Sequence, residues 1–201
     1  MARVRTEEKR RAILDASAKV FAKRGFHAAT VGQIAAELGM GLGTFYRYFD
    51  SKLGVFHAVI EEVMGEVTTV LAQESPTASP TLREYRAQVE RIGRALFAAF
   101  QANRSLARLL FVEAPGISAE LNEKLQAAVT FFGLSTRAYL DNGVARGFLR
   151  PGLDTELTAL AINSMIFEGV RHVATDESPQ VLERWIAAIS ALLFEGISIR
   201  R

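Results

Sequence analysis

Apolar residues recur at spacings of three and four along almost the whole chain, the period of helices with one buried face. Ile13, Leu14, Ser17, Val20 and Phe21 make the first stripe. Thr6 is expected to cap that helix, with Glu7 and Glu8 in its first turn, and Gly25 to end it; residues 1–5 read as a flexible basic arm. Val31, Ile34, Ala35 and Leu38 form a second, shorter stripe. Thr30 and Gln33 at its start predict a capping box, and Gly39 a stop. Leu42 to Phe49 is a third helix, with Phe45 and Phe49 one turn apart on its inner side. Leu53, Phe56, Ile60, Val63, Val67 and Val70 mark a fourth.

The Pro/Ser/Thr segment Glu74 to Pro80 is the clearest break. After it, Thr81 and Glu84 form a second capping box for a helix with Tyr85, Val89, Ile92, Leu96 and Phe100 inward. A short helix is expected from Arg104 to Val112. Ser118 is expected to cap a long one through Leu121, Leu125, Ala128, Phe132 and Tyr139 to about Gly147. Asp154 is expected to cap a helix running to about Val173, and Ser178-Pro179 to start the last one. No alternating β-branched run and no Asn-Gly or Asp-Gly hairpin interrupts this series. The expectation is an all-α chain of about nine helices.

Composition narrows what such a chain can do. Its 201 residues are half hydrophobic with only 5 prolines, so a packed core is expected. The absence of cysteine excludes disulfides, zinc–thiolate sites and cysteine nucleophiles. No run of ~18 apolar residues suggests a membrane span, and the basic N-terminus is not followed by an apolar signal segment, which points to the cytoplasm. The net charge of +2 is unevenly spread: residues 1–52 carry ten Lys/Arg against five Asp/Glu, residues 53–201 fourteen against seventeen. A basic head on an acidic body suits phosphate binding. Residues 1–52 read as one domain and 53–201 as a second.

The stretch Thr30 to Lys52 has the helix, tight turn and second helix of a helix-turn-helix, whose second helix enters the major groove. Thr30, Ile34, Ala35 and Gly39, then Gly43-Thr44-Phe45-Tyr46, Tyr48-Phe49 and Ser51-Lys52, resemble the DNA-binding domain of the TetR family of bacterial transcription regulators. The resemblance implies backbone contacts to DNA from Thr30, Gln33, Thr44, Tyr46, Tyr48 and Lys52, with Gly43 allowing close approach. Leu42, Thr44 and Arg47 are the candidates for base edges, Arg47 by a bidentate pair with guanine. Two positions depart from the family pattern: Gly41 stands where serine is common, and Leu42 where a polar residue is common. Gly32 likewise offers no side chain on the preceding helix. Sparse base readout, with more weight on DNA shape, is the consequence.

Reading two half-sites requires a symmetric dimer. The last helix carries apolar residues on more than one stripe, which makes Leu182, Trp185, Ile186, Ile189, Leu192 and Leu193, with Ile199, candidates for the interface. The resemblance places dimerisation on the last two helices. It also implies an effector pocket in the body, for which Phe97, Phe100, Phe111, Phe131, Phe132, Asn163, Phe167 and Arg171 are candidates. An effector that is hydrophobic, with an acidic head facing Arg171, fits that set, and repression relieved by it is the activity implied. The alternative is a helical interaction module whose head has lost specific DNA binding. No HExxH, P-loop, GxSxG or GxGxxG context occurs and the three histidines, His27, His57 and His172, are far apart, so neither enzyme, metal site nor cofactor is expected.

Overall fold

The computed structural model describes residues 2–102, 107–176, 178 and 180–196. These residues form nine helices and no strand. They are α1 (Ala2–Ala28), α2 (Val31–Glu37), α3 (Leu42–Phe45), α4 (Lys52–Ala72), α5 (Leu82–Ala102), α6 (Leu109–Glu113, a single π-helical turn), α7 (Ala119–Ala145), α8 (Thr155–Thr175) and α9 (Val181–Ala191). The chain of α9 continues into a π-helical turn, Leu192–Gly196.

Helix ends fall where local chemistry supplies partners for unpaired backbone groups. At α2 the Thr30 hydroxyl accepts from Gln33 N–H while Gln33 Oε1 accepts from Thr30 N–H, the full reciprocal box. Ser51, Ser118 and Asp154 cap α4, α7 and α8, accepting from Gly54, Leu121 and Leu157. The box at α5 is altered: Thr81 accepts from Glu84 N–H, but the Glu84 carboxylate accepts from the Thr81 hydroxyl. Gly39 takes φ +61° and Gly147 φ +71°, the left-handed conformation that closes a helix.

Four expectations need correction. Backbone helix begins at Ala2, so residues 2–5 are not an arm, and Thr6 lies inside α1. α3 ends at Phe45; Arg47 and Tyr48 then donate to carbonyls three residues back, a tighter turn that carries the chain to Phe49. Of the short helix placed at Arg104–Val112, residues 104–106 lie outside the described residues, residues 107–108 are α-helical, and from Leu109 the chain is wound as π-helix reaching Glu113. The last helix starts at Val181 with Gln180, not Ser178, at its cap; Pro179 and Ile199 lie outside the described residues.

One continuous hydrophobic cluster runs through the molecule. In the head, Ile13, Phe21, Ile34, Phe45 and Phe49 close on each other, and Phe56 of α4 completes an aromatic triad with Phe21 and Phe26 (ring centroids 5.0 and 4.8 Å). The buried row of α4 then continues through Val59, Ile60 and Val63 to Val67, beneath α5 and α7. α4 therefore belongs to both cores. In the body, α5 and α7 pack on it, and α8 and α9 pack in turn on α5, with α8 also against α7. Two glycines permit the closest approaches: a Cβ on Gly143 would lie 2.8 Å from Leu149, and one on Gly169 would lie 2.7 Å from Phe97 and 3.2 Å from Trp185.

Candidate nucleic-acid interface and body cavity

The outer surface of α2–α3 is built by burying Ile34, Ala35, Phe45 and Phe49, which leaves the remaining positions outward. Leu42 and Tyr46 are each 50% exposed, Gly43 and Arg47 are exposed, and Thr44 and Tyr48 are half-buried. Tyr46 stands edge-on to Phe45 at 5.5 Å, which orients its hydroxyl away from the core. Thr30 is exposed at the first turn of α2, where backbone N–H groups not taken by the cap can meet an anion. Arg10 of α1 lies over the Phe49 ring at 5.1 Å, adding a guanidinium beside α3 that the sequence pattern did not single out.

Lys52 has a different setting. Its ammonium donates to the carbonyls of Phe26 (2.7 Å), His27 (3.2 Å) and Ala29 (3.0 Å) and sits 4.4 Å from the centre of the Phe26 ring. All three of its donors are engaged with carbonyls of the turn that follows the break in α1 at Gly25. In this structure Lys52 holds the head together rather than reaching outward for a phosphate.

Between α4, α5, α6, α7, α8 and α9 lies a cavity of about 560 Å³, within the ~300–1,000 Å³ range of small-molecule sites. Of the eight residues expected there, Phe97, Phe100, Phe111, Phe132, Asn163 and Phe167 line it. Phe111 stacks against Phe100 at 5.5 Å and Phe167 at 5.7 Å, and Phe132 meets Phe167 at 6.1 Å. Phe131 and Arg171 do not line it: Phe131 projects outward from α7, and Arg171 is exposed, donating to Glu168 at 3.1 Å. Among the described residues no lysine, arginine or histidine lines the cavity, so none of them offers a cation to an acidic head there. The exposed lining residues are Pro115, Asn122, Gln126 and Val129, which places the entrance beside the start of α7.

Most polar groups along the wall are paired within the protein. Tyr85 donates to the Tyr139 carbonyl at 3.0 Å, and burial pushes its phenol far above the ordinary range, so it stays a donor. Tyr139 donates to the Glu74 carbonyl at 2.8 Å. The Ser190 hydroxyl donates to Glu90 at 2.8 Å; this bond and that from Arg86 hold the Glu90 carboxyl below its usual value. The Thr136 hydroxyl donates to Asn163 Oδ1 at 2.9 Å, but Asn163 Nδ2 has no partner. An unmet buried donor costs ~1–3 kcal/mol.

Cavity and head meet at α6. Phe111 lines the cavity, and two residues on, Glu113 Oε2 accepts from the backbone N–H of Phe26 at 3.0 Å, at the end of α1. The seat for this carboxylate is Gly25, at φ +76°; a Cβ there would lie 2.9 Å from Glu113 Oε2. Arg108 pairs with the same carboxylate at 3.5 Å. Neither Gly25 nor Glu113 carries a sequence motif, and the 87 residues between Phe26 and Glu113 hide their contact.

Of the six interface candidates on the last helix, Ile186, Ile189 and Leu193 are buried within the chain, Leu182 and Trp185 are partly buried against the core, and Leu192 is 54% exposed. Two leucines elsewhere are more exposed, Leu134 on α7 (62%) and Leu157 on α8 (63%), and Leu160 on α8 is 46% exposed. Among the described residues no group of histidine, aspartate and glutamate is gathered closely enough to hold a metal, and no helix is long and apolar enough to cross a membrane.

Residues 13–59 match the family model of the bacterial regulatory proteins, tetR family. The fatty acid metabolism regulator protein of Bacillus subtilis (strain 168) is 24% identical over 188 residues, covering 92% of this chain and 93% of that one. The solved structure of the fatty acid degradation regulator FadR from Bacillus halodurans has 25% identity and a TM-score of 0.79, with 96% of this chain and 97% of that chain covered. FadR from Bacillus subtilis, solved in complex with stearoyl-CoA, has 24% identity and a TM-score of 0.77, covering 92% and 98%.

Proposed function

The chain belongs to the TetR family of bacterial transcription regulators, and we propose that it represses its target genes as a homodimer on a palindromic operator and is released by a long-chain acyl compound bound in the body. The observation that carries this reading is a helix-turn-helix head joined through α4 and α6 to a hydrocarbon-lined cavity of about 560 Å³. The acyl class is supported by that lining and by the stearoyl-CoA in the related FadR structure.

On DNA, Thr30, Thr44, Tyr46 and Tyr48 meet phosphates, and Arg47 and Leu42 face base edges. Gln33 contributes by fixing the cap of α2. Lys52 acts from within by locking α1 to α4. Effector binding acts by favouring one arrangement of the heads, since a ligand with equal affinity for both arrangements shifts nothing. A chain entering beside α7 displaces Phe111, and the α6 turn carries that displacement through Glu113 to Phe26. The dimer forms through the outward faces of α8 and α9, where Leu157, Leu160 and Leu192 are exposed.

The test is selection of bound sequences from a random DNA pool at near-physiological salt, with Arg47→Ala in parallel, followed by titration of the best site with stearoyl-CoA. An enriched palindrome released by stearoyl-CoA supports the reading. Enrichment without release retains the DNA-binding part and overturns the acyl effector. No enrichment, with binding lost at moderate salt, makes the chain a helical interaction module instead.

A further inference from the structure

Among the described residues two buried side-chain nitrogens lack a hydrogen-bond partner, Nδ2 of Asn142 and Nδ2 of Asn163. Only Asn163 lines the cavity. It is 5% exposed, and the lining residues that neighbour it along α8, Ile162, Ile166, Phe167 and Val170, have side chains that accept nothing. With the Thr136 hydroxyl donating to Oδ1 at 2.9 Å, the group of the amide left unmet is the Nδ2 donor. The site is also deep. Thr136 lies seven residues beyond Val129 and ten beyond Gln126 of the entrance along α7, which is ~10–15 Å at the helical rise. A plain hydrocarbon tail reaching this point covers the amide and leaves it dry, and an oxygen on the tail would answer it.

We infer that the effector is an apolar molecule that carries an acceptor oxygen within its buried part, about 10–15 Å from the entrance, and that Asn163 selects it by donating a hydrogen bond. This ligand class presupposes the acyl-effector reading above. It adds an internally oxygenated chain, such as a keto acid, over the saturated one. Thr136 is the positioning residue that holds the Asn163 amide for this contact.

The experiment is calorimetric titration with stearic acid and with a series of 18-carbon acids bearing one ketone at successive positions along the half of the chain remote from the carboxyl. The proteins are the wild type, Asn163→Leu and Thr136→Val. For the wild type, one ketone position is expected to bind at least about tenfold more tightly than stearic acid, because one satisfied buried donor is worth that ratio. Asn163→Leu should erase the preference while binding stearic acid at least as well as the wild type. Thr136→Val should weaken the preference with the Asn163 side chain still present, and it carries the test if Asn163→Leu does not fold. If stearic acid and every ketone bind alike to the wild type, or if the preference survives in Asn163→Leu, the oxygen-selecting role is overturned and the acyl reading stands. If no acid binds, both are overturned.

Discussion

Lys52 shows how one side chain can have a role its position in a motif does not announce. Its ammonium satisfies three carbonyls at the end of α1 and packs on the Phe26 ring. Lys52→Met keeps the aliphatic stem and removes the donors, so the head should lose about 1–2 kcal/mol. Thermal melting checks the loss, and hydrogen exchange should place it at Phe26 to Ala29. Arg47→Ala should leave melting unchanged; at a guanine contact it relaxes preference at one operator position by about 1–3 kcal/mol, whereas at a phosphate it weakens all sequences evenly. At this scale the sequence was an uneven guide. Thr30, Gln33, Ser118 and Asp154 were legible as caps, because a cap is a contact over three residues. The engagements of Lys52 and Glu113 join residues 23 to 87 positions apart, beyond any local pattern.

Among the elements, α6 is a single turn tied at both ends, with Phe111 in the cavity and Glu113 on the head. Glu113→Ala should lower the effector's ability to release DNA while leaving operator affinity in its absence within a few-fold, measured by fluorescence anisotropy with and without stearoyl-CoA. Gly25→Ala attacks the same joint from the other side. A side chain there is strained at φ +76° and collides with the carboxylate, so melting should fall by at least about 1 kcal/mol. Hydrophobic spacing made α4, α5, α7 and α8 legible because each buries a long face. The same spacing misled at α3 and α6. Tyr46 to Tyr48 turn more tightly than an α-helix, and Leu109 to Glu113 more widely, and neither deviation alters which residues are apolar.

For the whole molecule, the acidic limb of stability is set where body helices are tied by carboxylates. Glu74 bonds Arg91 and Gln88, and Glu90 bonds Ser190 and Arg86; both carboxyls are held below their ordinary value by these bonds. Their contribution is therefore complete above the unfolded pKa of ~4.3 and is lost as pH falls below it through the folded values. Glu90→Gln should flatten the acid side of a melting-temperature profile in that window. Assembly was the least legible property, because an apolar residue facing its own core and one facing a second copy look alike in sequence: Ile186 and Leu193 turned inward, while Leu157 and Leu160 stayed exposed. Leu157→Glu with Leu160→Glu should convert a dimer to a monomer in sedimentation velocity without unfolding it. Gly169 lets Phe97 of the cavity wall and Trp185 both close on the space a Cβ would fill, with the His172 ring 5.4 Å from the indole. Trp185 is the only tryptophan in the chain, so the protein carries its own fluorophore one residue's thickness from its ligand, and emission should change on loading with no label attached.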